Sequence, residues 1–579
     1  LENTMKKITI AIVGGGSVGV AYFTQLIDEA VRQGLSHHLD VLIFESQKTP
    51  GPGYAYQDDF ECNLLNTRAD AMSAVAGDKR HFIRWLEQHG ADQAVDFPQT
   101  VIDDHAFLPR SLFGRYLAHQ YEQTMAVARA HGIKVTAVTS TVTDLISLSD
   151  QRPCIDTESG VAYVADRVVL SMGNLPSTRF TQLNDVAGFV RTPYPTRDMV
   201  RNIPANASVC VLGTGLSAID TVLSLTEAGH QGKIVMASRT GRLPSVRGTF
   251  NRPHTLTHLT RAHIDNFCDA NGGQLKLHDV FTMLLREIEE VTGDAVDLKR
   301  ILNSGAGVLD YITSEIIQAD NAERLWQSVI YSTNSIIDYV WHRLSRDDKQ
   351  VFQTTFGSLW SSYRVSVPVK NAHKLQALLK ADRILVLGGV RQVTYNEASK
   401  VFETRIDDRR SAFRTVVESE YVINATGYSV QVEQSDVPLV VNLLRRKLAK
   451  PNEFGGFELD FETGRLVGAA GEAWPHVSVL GSLAAGTYFW TNAMDVNVRL
   501  ARRQVEDALS VLSGSISHAA LPSARAPRRR SVTRRGRTAS ASASTRQSRR
   551  YGLKAAQGNA SVLGSPVRGE LASPTTQLV

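Results

Sequence analysis

The chain has 579 residues, 43% hydrophobic and 21% charged, which is enough for two or three domains with sizeable cores and typical of a globular protein. Its four cysteines (Cys62, Cys154, Cys210, Cys268) are scattered without a C-x-x-C, which argues against a disulfide scaffold or a metal site and for a reducing, cytoplasmic setting. The net charge of +5 divides unevenly: from Ala508 onward eleven arginines and Lys554 face only Glu570, a net +11 that leaves −6 for the rest.

The first predicted element is a strand over residues 8–13 that runs into a turn, where Gly14, Gly16 and Gly19 complete G-x-G-x-x-G before a helix. In that context the glycines make a tight turn and let a pyrophosphate sit on the helix N-terminus, with Ser17 among its contacts. Lys6, Lys7 and the apolar run after them mimic a signal peptide, but the glycines fall in the dinucleotide pattern and an amphipathic stretch follows. Residues 41–44 form a short strand ending in Glu45, placed to accept hydrogen bonds from a ribose. The pattern then recurs: Gly213, Gly215 and Ala218 complete G-x-G-x-x-A after a strand over 209–212. The next strand, 233–237, ends in Ser238 and Arg239 where an acid would favour NAD; an arginine there pairs with the 2′-phosphate of NADPH. Two such turns in one chain imply two nucleotides held face to face, as when a nicotinamide reduces a flavin.

From His254 to about Trp360 apolar residues recur at three- and four-residue spacing, which predicts a helical insertion that covers an active site or forms a homo-oligomer interface. Strands return at 384–390, 398–405 and 413–423, and a last helix at about 493–512. Residues 477–494 carry too many polar groups to span a membrane. The arginine-, serine- and alanine-rich residues 513–579 predict a disordered basic tail without the features of specific nucleic-acid recognition. Two competing patterns fail on context. Residues 15–19 also match the G-x-S-x-G nucleophile elbow, but the second glycine turn and Glu45 fit only the dinucleotide reading. His254 and His258 lack the glutamate of H-E-x-x-H, so no metal is expected.

Two further strands, at 168–170 and 422–423, cross into small-residue turns, the second through Asn424, Ala425, Thr426, Gly427 and Tyr428. This ATGY string resembles that of flavin-dependent amine N-hydroxylases. The segment 51–86, with Gly51, Gly53, Ala55, Tyr56, Leu64, Leu65, Asn66, Met72 and Ser73, is similar to the signature of bacterial FAD/NAD(P)-binding proteins with a split flavin domain. FLPRSLFGRYL (107–117), TPYP (192–195), SRTGRLP (238–244) and LGSLAAGTYFW (480–490) resemble further segments of that family. The resemblance implies FAD in the first fold and NAD(P)H in the second. It places Asn63, Asn66 and Thr67 near the flavin ring, with Asn63, Asn66 and Tyr428 as catalytic candidates, and Arg110 at the FAD phosphates or a substrate anion. It also implies that Gly427, Gly481 and Gly486 let backbone approach the flavin closely, the last two preceding the C-terminal helix and bringing its N-terminus to the ring.

The expected fold is α/β with two Rossmann-like domains: an FAD domain split over 6–190 and 376–512, and an NAD(P) domain over 191–375 that includes the helical insertion 251–365. The expected function is an FAD-dependent, NADPH-using monooxygenase that takes up O₂, acts through a flavin C4a-hydroperoxide and N-hydroxylates a small amine or amino acid. A reductase or dehydrogenase with another acceptor, and a non-enzymatic binding protein on a flavoprotein fold, are the alternatives.

Overall fold

The computed structural model describes residues 7–248, 252–296, 307–408 and 413–519; the predicted tail lies almost wholly outside them. Two parallel sheets organise the chain. The first has six strands in the order Arg465–Val467, Ala473–Val479, Arg167–Leu170, Ile8–Val13, Leu39–Phe44, Lys134–Val138, all parallel except the first pair. Ile10, Ala11 and Ile12 are fully buried in its centre, as expected of a parallel strand covered on both faces. Helices Ser17–Arg32 and Arg110–Ala130 pack on this sheet, and the helix Met494–Ala519 packs on Ser17–Arg32, which is buried along most of its length.

The second sheet has five strands in the order Ile384–Gly388, Ile234–Ser238, Val209–Leu212, Tyr421–Asn424, Phe189–Val190. This moves both expected boundaries. Residues 384–388 and 421–424, assigned to the second flavin segment, pair in parallel with the strands that flank the second glycine turn. Phe189–Val190, assigned to the first segment, is the edge strand of the same sheet. The reason is topological: an antiparallel meander (Val390–Asn396, Val401–Asp408, Phe413–Ser419) carries the chain out of the second sheet after Gly388 and returns it there at Tyr421.

The insertion is helical as expected, with Arg261–Ala270, Leu277–Thr292, Val308–Asn321, Leu325–Ser332, Ile337–Arg343, Arg346–Val351 and Gly357–Arg364 in sequence. A short parallel ladder, Val246 with Val367 and Arg247 with Pro368, ties its two ends together. Its apolar faces serve both domains. Ile312, Ile316 and Ala319 join the core of the second sheet, whereas Leu259, Met283, Trp341 and Phe352 join the core of the first. The last helix runs to Ala519, beyond the expected end at 512. No described helix is long and apolar enough to cross a membrane.

Candidate active site

The first turn is closed by sterics. Gly14 has φ +100°, and a Cβ there would stand 2.4 Å from the Ser171 carbonyl oxygen on the crossing strand. A Cβ on Gly19 would stand 1.9 Å from the Gly14 oxygen, so the helix approaches its own turn too closely for any side chain. Gly16 is the helix N-cap, with no side-chain cap and no acidic residue in the first turn, so the terminal amides are left for an anion. The loop at Gly53 roofs it: a Cβ on Gly16 would lie 3.4 Å from the Gly53 Cα. Glu45 is fixed at the strand end, accepting from the Gly15 amide (2.8 Å) and the Gln47 amide (2.8 Å). Beside this roof opens a cleft of about 340 Å³ whose lining includes Lys48, Gly53, Gln57, Ser111 and Arg115; the Ser111 hydroxyl is buried there without a hydrogen-bond partner. A cradle that excludes side chains, an uncapped helix end, a strand-end carboxylate and an orphaned buried hydroxyl together fit a dinucleotide.

The second turn repeats the pattern with more room. Gly213 has φ +128°, and a Cβ there would meet the Ala425 oxygen at 2.7 Å, so this turn abuts the ATGY crossing. Gly215 caps the helix Leu216–Glu227, again without a side-chain cap, and nothing lies within 4 Å of where its Cβ would be. Ser238 holds the following loop by accepting from the Gly241 amide (2.9 Å) and hydrogen bonding to the Thr214 hydroxyl (3.1 Å). Arg239 is exposed, and Arg179 is near enough to feel it: burial, and then the charge of Arg239, lower the Arg179 pKa.

Between the domains runs a buried polar seam. The Asp59 carboxylate accepts from the Thr196 amide (2.9 Å) and hydroxyl (2.6 Å), and the Asn63 amide donates to the Thr196 hydroxyl (2.8 Å). Ser224, on the second turn's helix, donates to the Asn63 carbonyl (3.2 Å). A second knot joins Arg110 to Asp220 (2.7 Å), with the Tyr194 hydroxyl donating to Asp220 (2.8 Å) and accepting from Arg110 (3.1 Å). Arg110 spends its Nε on the Leu64 carbonyl (3.1 Å). Asn63 and Arg110 are therefore not free for flavin or phosphate, contrary to expectation: both bind the domains together. Burial pushes the neighbouring Cys62 thiol up to about 12, so it stays protonated.

The family model described as FAD-NAD(P)-binding matches residues 11–175, the span from the first strand through the first crossing. This segment is an FAD-NAD(P)-binding domain. Comparison with curated proteins finds no match. Solved structures of the same fold include the L-lysine 6-monooxygenase of Pseudomonas syringae, 15% identical, covering 89% of this chain and 100% of that one with a TM-score of 0.53. The FAD-bound cadaverine monooxygenase of Erwinia amylovora is 14% identical over 88% of this chain and 95% of that one, at 0.53. The reduced ornithine hydroxylase of Pseudomonas aeruginosa is 14% identical over 88% and 100%, at 0.51.

Around the FAD-NAD(P)-binding domain the remaining expected residues fall into two groups. Asn66 and Thr67 are half-buried, and the Thr67 hydroxyl donates only a long hydrogen bond to the Asn66 carbonyl (3.4 Å), which leaves their polar groups available. Tyr428 is 38% exposed and meets Tyr54 edge-on at 5.9 Å. Gly427 (φ +91°) makes a left-handed turn before it, and Gly481 (φ +80°) another at the end of the returning strand. Gly486 differs from expectation: a Cβ there would strike Asn452 and the Gly455 oxygen at 2.3 Å, and its carbonyl accepts from the Trp341 indole (2.8 Å). It serves packing between protein segments. Gly481 and Gly486 precede the C-terminal helix as expected; it begins at Met494 and has Asp495 in its first turn. Between Gly486 and that helix, Phe489 takes φ +62°, ψ −69°, a strained turn clamped by stacking on Trp341 at 4.5 Å. His254 and His258 pair with Glu287 (2.9 Å) and Glu290 (3.0 Å), and no metal-holding cluster occurs among the described residues. The seam partners Asp59, Tyr194 and Asp220 were missed by the sequence reading. Asp220 did carry a signal, an acid among apolar residues in LSAIDTVL at the start of a buried helix.

Proposed function

We propose that the chain is an FAD-dependent, NADPH-using monooxygenase that N-hydroxylates a small amine or amino acid. One observation carries this reading: two uncapped glycine turns, one roofed and one open, stand on two sheets locked by a buried polar seam. The monooxygenases of similar fold support it, three of them acting by their names on lysine, cadaverine or ornithine.

Bound FAD would supply electron acceptance from the nicotinamide and activation of oxygen, chemistry that belongs to the cofactor. The protein supplies position and exclusion of water. The amides at Gly16, Ser17 and Gly19 receive the FAD pyrophosphate, Glu45 its ribose, and the cleft by Lys48 and Arg115 lies next to that end. Asn66 and Thr67 offer an amide and a hydroxyl to the ring, and Gly427 with Tyr428 forms the facing wall. Gly213, Gly215 and Ala218 seat the second pyrophosphate, with Arg239 and Arg179 at its 2′-phosphate. Trp341 and Phe352 of the insertion meet Phe489 around an apolar space of about 60 Å³. The test is product analysis on the FAD-loaded enzyme with NADPH, O₂ and a panel of amines and amino acids. Hydroxylated amine supports the reading; recovery of all consumed oxygen as peroxide across the panel favours a reductase.

A further inference from the structure

Among the described residues, Arg247 and Arg364 are buried cations without counter-ions. Arg247 is 6% and Arg364 5% exposed, and among the described residues no carboxylate lies within 4 Å of either guanidinium. Among the described residues, the Nε and Nη1 of Arg247 and the Nε of Arg364 have no hydrogen-bond partner. Both guanidiniums instead pack on Tyr331, at 3.2 Å and 4.2 Å from its ring centroid, and Arg364 also lies 5.4 Å from the ring of Trp490. Burying an unpaired charge is among the most costly arrangements in a protein.

The surroundings hold these cations firmly in place. Val246 donates its amide to Glu315 (2.9 Å), and its carbonyl accepts from Arg324 (2.7 Å) and Gln327 (2.8 Å); the Gly248 amide donates to Gln327 (2.9 Å). Arg247 is thus pinned on both sides by buried groups of the insertion. The Tyr331 hydroxyl donates to the Arg364 carbonyl (2.9 Å), and Arg364 hydrogen bonds to Asn334. The nearby acids are already used. Asp70 pairs with Arg68 (2.7 Å), and Asp495 accepts both bonds of the Asn334 amide (3.0 and 2.8 Å). Burial, followed by the charges of Arg364 and Arg68, pulls the Arg247 pKa well down, and an arriving anion would relieve that pressure.

We infer that Arg247 and Arg364 form an anion site that takes a carboxylate of the substrate, with Tyr331 and Trp490 as its aromatic walls. The site joins the insertion to Trp490, just beyond the strained Phe489, and to the charge of Arg68, one residue past Thr67. Arg68 is thus near enough for its charge to act on Arg247. Deepening the proposed function and resting on it, this inference narrows the substrate from any small amine to one that also carries a carboxylate. A guanidinium fork matches a carboxylate, which explains two arginines where lysine would serve a point charge.

The experiment is binding without turnover: thermal unfolding and tryptophan fluorescence of the oxidised, FAD-loaded protein titrated with acetate, γ-aminobutyrate, putrescine and NADP⁺. Wild type should gain stability from acetate and γ-aminobutyrate and not from putrescine. Arg247→Met and Arg364→Met should each weaken γ-aminobutyrate about tenfold or more and leave NADP⁺ within about twofold. Each should melt no lower than wild type without ligand, because an unpaired buried charge has been removed; Arg247→Lys should keep part of the binding. No response of wild type to either carboxylate, or unchanged γ-aminobutyrate affinity in both Met variants, overturns the proposal. A loss of NADP⁺ instead would make the pair a coenzyme phosphate site and overturn it equally. Carboxylate binding that survives in a protein producing no hydroxylated amine would keep the anion site and remove the oxygenase reading.

Discussion

At the first turn a Cβ on residue 19 would stand 1.9 Å from a backbone oxygen, while at the second turn the matching residue, Ala218, has its methyl 3.7 Å from where a Cβ on Gly213 would be. The surroundings diverge in the same sense. Gly16 is covered by the loop at Gly53, whereas nothing lies within 4 Å of a Cβ on Gly215. One motif has thus been fitted in two ways, tight and roofed in the first sheet, looser and open in the second. The difference suits a resident cofactor on one side and a coenzyme that arrives and leaves on the other.

The largest expected effect comes from closing that difference at the tight turn. Gly19→Ala should abolish FAD retention, because the added methyl cannot coexist with the Gly14 carbonyl; flavin content after gel filtration, with circular dichroism as a check on folding, measures it. Full flavin content in a folded variant would show that the turn relaxes. Next comes the seam that holds the two turns in register. Asp220→Ala leaves Arg110 buried without its partner, a loss of about 3–5 kcal/mol. A melting temperature within a degree of wild type would show that the pair contributes little.

A smaller effect separates the coenzymes. Arg239→Ala should weaken NADPH about tenfold and leave NADH nearly unchanged, since the partner proposed for the guanidinium is the 2′-phosphate that NADH lacks. Equal losses in KM for both would make Arg239 structural. The smallest concerns the loose turn itself. Ala218→Gly should cost about 1 kcal/mol of stability through helix propensity and leave the KM for NADPH alone, in contrast to the reciprocal change at Gly19.

Both turns were legible because their determinants are local: a short apolar run, glycines at fixed spacing, then a helix. Glu45 was legible for the same reason, as the acid closing an adjacent strand. The seam was not, because Asp59 and Thr196, or Arg110 and Asp220, meet only after both sheets have formed and look like ordinary loop and helix residues before that. Assigning Asn63 and Arg110 to the flavin followed from their place in family-like segments, and the structure shows those segments also carry the domain junction. The boundary at 376 failed because a meander that leaves and re-enters one sheet has the same strand pattern as a chain that has moved to another. Arg247 and Arg364 were hidden for a related reason: an arginine reads as surface until the helices around it bury it.

The central claim, that the roofed turn holds FAD and the open turn delivers NADPH to it, is tested most directly by anaerobic mixing of the purified protein with NADPH while the visible flavin spectrum is followed. The account predicts a yellow protein whose flavin band bleaches, faster with NADPH than with NADH. A protein that takes up no FAD, or a bound flavin that stays oxidised with both coenzymes, would contradict it.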